Sequence, residues 1–181
     1  MSLTTTTHLN FRGEARAALD FYRSVFGGRA TVVTYADAAA ASDPAGESGP
    51  ADATDAAGAT DAAGATGATG ATSTAADAAS AADPAEGRWV MWGEVVAEGG
   101  FSVMAYDVPS GMDWEQGRNS FFVSVRGDDT EEIGARWDRL AADGAGSTVL
   151  HPLAPAPWAA LYGMVRDRFG VVWVLDVVSP R

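Results

Sequence analysis

The sequence predicts an α+β fold in which two βαβββ modules share one core and form a cupped mixed sheet. The first observation behind this prediction is an internal repeat. A short apolar strand that ends in Arg-Gly, at residues 8–13, precedes an amphipathic helix that stops at Gly27. The same order returns between Ser120 and Gly144. The second observation is that strand-like segments follow each helix, which makes two pseudo-symmetric modules with a cleft between them.

The elements of the first module can be assigned in order. An apolar stripe at helical spacing, which includes Phe21 and Tyr22, predicts a helix over residues 14–26. Gly27 supplies the stop signal. Glu98-Gly-Gly100 between two apolar segments is typical of a hairpin turn. The predicted strands of this module cover residues 7–11, 30–35, 89–97 and 101–107.

The second module repeats this plan. Asp129 and Glu132 have the spacing of a capping box at the start of an amphipathic helix, in which Trp137 belongs to the apolar face. The Asp-Arg-Phe-Gly segment at 167–170 separates two apolar segments and predicts a second hairpin. The predicted strands cover residues 120–125, 147–150, 160–166 and 171–178.

Residues 38–87 differ in composition from both modules. This segment has imperfect Asp-Ala-Ala-Gly-Ala-Thr repeats and contains no aromatic residue, Val, Ile, Leu or Met. It cannot bury enough apolar surface to offset the ~1–2 kcal/mol per residue that ordering its backbone costs. We predict a long disordered low-complexity insert, and a tolerated expansion of a surface loop is favoured over a lid or an interaction tail. The chain is then one domain over 1–181, with a first module at 5–37 plus 88–112 and a second at 117–180.

Composition and charge exclude several classes of protein. The chain has no cysteine, so disulfides, thiolate nucleophiles and cysteine metal sites are excluded. The net charge is -12, and nine of the acidic residues lie between Asp37 and Glu86, where no Arg or Lys occurs. Neither this acidic segment nor the rest of the chain offers a basic patch, so we expect no nucleic-acid or membrane partner. We also find no signal peptide and no apolar run of the ~20 residues that a membrane span needs, and we expect a cytoplasmic protein.

Several motifs resemble those of a known family. The residues that carry the resemblance are Phe11-Arg-Gly13, Glu14-Ala15, Phe21-Tyr22, Phe26-Gly27-Gly28, Trp158, Tyr162-Gly163, Asp167-Arg-Phe-Gly170 and Trp173. They resemble the PhnB-like branch of the vicinal oxygen chelate superfamily, which includes glyoxalase I, extradiol dioxygenases, and bleomycin and fosfomycin resistance proteins. The resemblance covers the chain outside the insert. It implies a glyoxalase-like fold of paired βαβββ modules and commonly a homodimer.

The same resemblance locates the four positions at which enzymes of the superfamily hold a divalent metal. In this chain they are occupied by His8, Met104, Ser120 and Val174. Only His8 is a good ligand, since thioether, hydroxyl and isopropyl groups do not replace imidazole and carboxylate. We therefore expect no metal and no other cofactor. A two-ligand site of His8 and Glu94 is the alternative, and a structural or ligand-contact role for His8 is favoured over it.

Other catalytic arrangements receive little support from the sequence. There is no Gly-x-Ser-x-Gly motif, and Ser120 has no partner histidine that the sequence identifies. The acid pairs Asp128-Asp129 and Glu131-Glu132 stand at the start of a helix, where carboxylates are favourable caps. No nucleophile or acid–base pair can be assigned, so the catalytic residues are unknown.

Aromatic residues on the predicted strands indicate a ligand pocket instead. Strand alternation sends half of them into the core and half into the cup. An aromatic wall with a few polar groups is the usual composition of a small-molecule site. The residues predicted to line it are His8, Trp92, Glu94, Met104, Tyr106, Ser120, Phe122, Trp158 and Tyr162.

Three classes of function stay open at this point. The chain could be a metal-free protein that binds a small apolar or aromatic molecule. It could be a vicinal oxygen chelate enzyme, of lyase, isomerase or dioxygenase type, with a degenerate or non-standard site. It could also be a dimeric scaffold whose cleft is filled by its own side chains. The lost metal ligands favour the binding protein over the enzyme.

Overall fold

A computed structural model of the chain describes residues 5–42, 85–117 and 121–178. The strands form two four-stranded sheets with the same internal order, one from each half of the chain. In each sheet the first strand pairs in parallel with the last strand, and the other pairs are antiparallel. This topology confirms the predicted α+β fold of two βαβββ modules.

The first sheet has the order β1-β4-β3-β2. Its strands and the helices of the first half are β1 (Thr7–Phe11), α1 (Ala15–Phe26), β2 (Arg29–Thr34), α2 (Tyr35–Ser42), β3 (Val90–Val96) and β4 (Ser102–Asp107). A 3-10 turn at Glu86–Arg88 leads into β3, and another at Glu98–Gly100 forms the β3–β4 hairpin.

The second sheet has the order β5-β8-β7-β6. The elements of the second half are β5 (Val123–Gly127), α3 (Thr130–Leu140), β6 (Thr148–Ala156), β7 (Ala159–Arg166) and β8 (Val172–Val178). In the described residues no helix is both long enough and apolar enough to cross a lipid bilayer.

One buried core joins the two modules on the helix side of both sheets. Alternate residues of β1 and β4 face it, such as Leu9 and Val103. Trp173 of β8 is completely buried, and its ring lies 5.0 Å from the ring of Tyr22 and 5.2 Å from that of Phe26, both on α1. Helix α1 of the first module therefore packs directly against the sheet of the second.

Two strands of the second module differ from their predicted bounds. We predicted β5 at 120–125, but it begins at Val123 and continues to Gly127, because Arg126 and Gly127 extend the parallel ladder with β8. We predicted a strand at 147–150, but β6 continues to Ala156. Prolines are tolerated there because β6 is an edge strand with an irregular register. His151 is an exposed residue of β6.

Both ends of the predicted insert are ordered, which corrects its bounds of 38–87. Helix α2 covers residues 35–42 and begins with a reciprocal cap, in which Thr34 Oγ1 accepts from the Asp37 amide at 3.1 Å and the Asp37 carboxylate accepts from the Thr34 amide at 3.0 Å. The hydrogen bonds that the Asp37 carboxylate accepts from the amide and the hydroxyl of Thr34 lower its pKa. At the other end, Glu86 is buried and accepts from the Ser110 amide at 3.2 Å. The prediction of disorder for 43–84 lies outside the described residues.

Candidate functional site

The two sheets adjoin along the edge strands β1 and β5, since Thr7 of β1 and residues 123–127 of β5 line the same cavity. An open cavity of about 170 Å³ lies at one end of this seam. We call it the His8 pocket. Its walls come from β1, the start of β8 and the segment that links the modules. The residues that contribute most of its chemistry are His8, Asn10, Trp114, Glu115, Gln116 and Phe121.

On the first sheet, the strand register brings together three of the predicted site residues. His8 and Glu94 each lie opposite Met104, one on either side of β4. The Glu94 carboxylate accepts a hydrogen bond from Ser102 Oγ at 2.9 Å, which holds the carboxylate over the sheet. The neighbouring residues Val95, Val103 and Ala105 are fully buried on the opposite face. This alternation confirms that His8, Glu94 and Met104 share the face that points away from the core.

Tyr106 extends this surface towards the linker. Its ring makes an edge contact with His8 at 6.1 Å, and its hydroxyl lies 3.8 Å from Sδ of Met112. The ring of Tyr35 is 6.4 Å away, and the Tyr35 hydroxyl donates to the Asp107 carbonyl at 3.0 Å. Burial and the neighbouring Tyr106 hydroxyl raise the pKa of Tyr35 well above its ordinary value. Tyr35 therefore stays protonated and anchors the aromatic end of the surface.

Of the other predicted residues, Trp92 lies on the same strand as Glu94, Phe122 lies just before β5, and Ser120 cannot be placed. Trp92 is half-buried in β3 and lies opposite Val33 of β2. Phe122 precedes β5 and is 43% exposed. Ser120 lies outside the described residues.

The remaining predicted residues form a separate cluster on the second sheet. The rings of Trp158 and Tyr162 are in edge contact at 5.6 Å, and His151 contacts Tyr162 at 5.4 Å. Trp158 is 67% exposed. In the described parts of the chain no ring contact or hydrogen bond joins this cluster to the His8 surface.

The pairing of β1 with β4 and of β5 with β8 also shows which residues lie near the four positions that the resemblance assigns to a divalent metal. His8 lies beside Met104 in the parallel pair of the first module, and Ser124 lies beside Val174 in the parallel pair of the second. The third position that the resemblance indicated, Ser120, lies outside the described residues, and Ser124 is the residue of β5 that lies beside Val174. Methionine, serine and valine at the three other positions do not form a set of ligands for a catalytic divalent metal. Among residues 5–42, 85–117 and 121–178, no three His, Asp or Glu side chains come together as metal ligands.

An ion pair on the second sheet was not predicted. Arg126 Nε donates to both carboxylate oxygens of Asp176 at 2.9 and 3.2 Å, and Arg126 Nη2 lies 2.8 Å from Asp176 Oδ2. Hydrogen bonding to Asp176 raises the pKa of Arg126. The predicted β5 ended at residue 125, so the sequence did not place Arg126 on the strand beside Asp176.

The contribution of the linker to the His8 pocket was also missed. Arg12 donates to the carbonyls of Pro109 and Met112, and its guanidinium lies 5.7 Å from the ring of Trp114. These contacts fix the linker beside β1. An apolar Trp114 between acidic neighbours was the available signal in the sequence, because an aromatic residue in a loop needs a surface to cover.

Paired βαβββ modules that meet along an open seam, with a histidine at the start of the first strand, define the glyoxalase-like class of proteins. The family model described as "Glyoxalase/Bleomycin resistance protein/Dioxygenase superfamily" matches residues 7–175. The chain belongs to this superfamily, as the motifs predicted. A comparison with curated protein sequences gave no match.

Solved structures with the same fold include proteins from several bacteria. Protein PA1353 from Pseudomonas aeruginosa has 24% identity and a TM-score of 0.63, with 99% of this chain and 100% of that chain covered. A Bacillus cereus protein described as a putative 3-demethylubiquinone-9 3-methyltransferase, PhnB protein, has 21% identity and a TM-score of 0.55, with coverages of 97% and 100%. A glyoxalase-related enzyme from Fulvimarina pelagi has 14% identity and a TM-score of 0.52, with coverages of 97% and 88%. At these identities the likeness concerns the fold.

Proposed function

We propose that the chain is a metal-independent member of the superfamily that binds a small, partly aromatic molecule at the His8 pocket. The observation that carries this proposal is the composition of the metal positions. Met104, Ser120 and Val174 occupy the positions of the ligands that would accompany His8, whereas the surface around His8 keeps a polar and aromatic character.

The size of the pocket supports a ligand with one ring. Its volume is about 170 Å³. An apolar cavity of about 150 Å³ is large enough to take up benzene. Trp114 and Phe121 supply aromatic walls, and an aromatic contact contributes ~0.5–1.5 kcal/mol beyond the burial of area.

The polar side chains of the pocket favour a ligand that donates hydrogen bonds. The Glu115 carboxylate accepts, whereas His8 and Asn10 can each accept or donate. The Gln116 amide N–H already donates to the Phe169 carbonyl, which leaves the amide oxygen as an acceptor. An uncharged phenol presents both a ring and a donor. We therefore propose a small hydroxyaromatic compound as the class of ligand, with His8 and Asn10 as its polar contacts.

A second candidate function, a metal-dependent enzyme of the lyase, isomerase or dioxygenase type, has less support. It would need ligands beyond His8 and Glu94, and Glu94 is already held by Ser102. The assembly as a homodimer and the cytoplasmic location stay predictions from the sequence.

Titration of the full-length chain with phenol and 4-methylphenol, followed by saturation-transfer NMR in the presence of EDTA, tests the proposal. We expect saturable binding that EDTA does not change. Tyr106→Ala should weaken binding about fivefold, because the edge contact that orients His8 is lost. Tyr162→Ala is the matched tyrosine variant on the second sheet, and it should leave the affinity unchanged.

Two results would argue against this function. The absence of saturable binding for both phenols would remove the support for a hydroxyaromatic site. Binding that disappears in EDTA and returns with added zinc would favour the metal-dependent enzyme. Thermal unfolding of each variant shows whether a loss of binding reflects a loss of fold.

A further inference from the structure

A second, larger cavity lies at the other end of the seam between the sheets. Its volume is about 430 Å³, and its walls come from β5, the start of β4, the end of α1 and the first part of α3. We call it the α3 groove. A volume of this size is in the usual range for small-molecule sites, about 300–1,000 Å³.

The α3 groove and the His8 pocket use corresponding strands of the two modules, but only the α3 groove is also lined by helix residues. The His8 pocket lies between β1 and the start of β8, and the α3 groove lies between β5 and the start of β4. Linker residues 114–117 narrow the His8 pocket. Among the residues that the structure describes, no corresponding segment enters the α3 groove. This difference leaves the second cavity wider than the first.

Aromatic and aliphatic side chains form the floor of the α3 groove. Phe101 stacks on Phe26 with ring centroids 4.0 Å apart and an interplanar angle of 19°. Phe26 is almost fully buried, whereas Phe101 is half-buried, so its ring is accessible from the groove. Ile133 and Val125 complete the floor. The face of an aromatic ring attracts cations as well as apolar groups.

The charges at the rim do not balance. The two arginines that line the groove are already engaged in the ion pairs Arg126–Asp176 and Arg136–Glu132, each with a contact of 2.8 Å. Glu98 and Asp128 also line the groove, and within the described residues neither has an ion-pair partner. Two carboxylates therefore remain uncompensated above an aromatic floor.

We propose that the α3 groove is a second ligand site, which binds a small organic ammonium ion that carries an apolar group. The apolar group would rest on Phe101 and Ile133, and the ammonium group would lie near Glu98 and Asp128. This inference does not depend on the function proposed for the His8 pocket, since the two cavities share no lining residue.

Isothermal titration of the full-length chain with phenethylamine and with 2-phenylethanol tests this site. The two probes have the same ring and chain, and only the amine is charged at neutral pH. We expect the amine to bind about tenfold more tightly, from two carboxylate contacts and one aromatic contact. The Glu98→Gln/Asp128→Asn double variant should bind both probes about equally, because it keeps the shape of the groove and removes its charge.

Glu131→Gln is the matched control, because Glu131 is an exposed carboxylate in the first turn of α3 that does not line the groove. It should retain the preference for the amine. The proposal is overturned if the amine does not bind, or if the double variant keeps the full preference. It is also overturned if Tyr106→Ala abolishes amine binding, since the amine would then occupy the His8 pocket. A loss of amine binding in Tyr106→Ala would not count against the function proposed for the His8 pocket, which the titration with phenols tests separately.

Discussion

Helices α1 and α3 hold equivalent places in the two modules, yet they are anchored in different ways. Seven residues of α1 are buried, from Ala15 to Phe26, whereas only Ile133 and Leu140 of α3 are buried. Helix α1 lies against both sheets, and α3 lies at the edge of the core. The comparison shows that duplication of a topology does not duplicate the stabilising contacts.

The starts of the two helices show this difference most clearly. Helix α1 has no cap from its own N-cap residue. The buried carboxylate of Asp107, at the end of β4, accepts from the amides of Gly13 at 2.7 Å and Ala15 at 3.0 Å, and also from Val90 at 2.9 Å. Helix α3 is capped locally, by Asp129, which accepts from the amides of Glu131 and Glu132. The cap of the first helix thus ties it to its sheet, whereas the cap of the second helix is made by the helix's own N-cap residue.

A second buried carboxylate ties α1 to the other module. Asp167, in the β7–β8 turn, accepts from the Tyr22 hydroxyl at 2.9 Å and from the Trp173 indole at 2.8 Å. It also accepts from the amides of Phe169 and Val171. One carboxylate therefore closes the turn and joins the modules.

The largest expected effect is that of Asp167→Ala. This variant leaves four buried donors without their acceptor, so we expect a loss of about 3–5 kcal/mol in the free energy of unfolding. Urea unfolding monitored by circular dichroism provides the measurement. Asp138→Ala, an exposed aspartate on α3, is the control and should change little. A loss below about 1 kcal/mol for Asp167→Ala would mean that the modules are not joined through this residue.

A comparison of the two helix caps should give a smaller effect. Asp107→Asn replaces one acceptor oxygen with a donor that faces buried amides, so we expect a loss of about 2–3 kcal/mol. Asp129→Ala removes an exposed local cap and should cost about 1 kcal/mol. Equal losses in the two variants, measured by urea unfolding, would break the contrast between a tertiary and a local cap.

The dependence of stability on pH should give a still smaller effect. Burial raises the pKa of Asp167 above its ordinary value, and its hydrogen bonds oppose this shift in part. The folded state then binds the proton more tightly than the unfolded chain does. The stabilisation from this group is present below the ordinary pKa of about 4 and is lost as the pH rises through the folded-state value.

The difference in unfolding free energy between the natural chain and Asp167→Asn should therefore decrease as the pH rises across this range. Urea unfolding at a series of pH values measures the difference. A difference that grows with pH would show that the hydrogen bonds outweigh burial and that the pKa is lowered. Asp138→Asn serves as the control for general effects of charge.

The elements of the fold were predictable because their signals are local. The spacing of apolar residues gave the bounds of β1 without error and those of α1 to within one residue. The register of β5 against β8 was not predictable, since a parallel pair is fixed by contacts between distant segments. For the same reason the sequence concealed the hydrogen bond between Tyr22 and Asp167, which are 145 residues apart.

The candidate site shows the same division. The register and the buried residues between them place His8, Glu94, Met104 and Tyr106 on one face of the first sheet, as strand alternation implies. Parity could not show that Trp114 of the linker closes a pocket beside His8, since that requires the path of the linker. Aromatic character alone also could not show that Trp158 and Tyr162 form a separate cluster, since that depends on contacts between distant segments.

The most direct test of the central claim is elemental analysis of the purified full-length chain after dialysis without chelator. The claim is that Met104, Ser120 and Val174 have replaced the metal ligands of the superfamily, so that His8 serves ligand binding alone. We expect no divalent metal in a stoichiometric amount. One tightly bound zinc, nickel, manganese or iron ion per chain would contradict it.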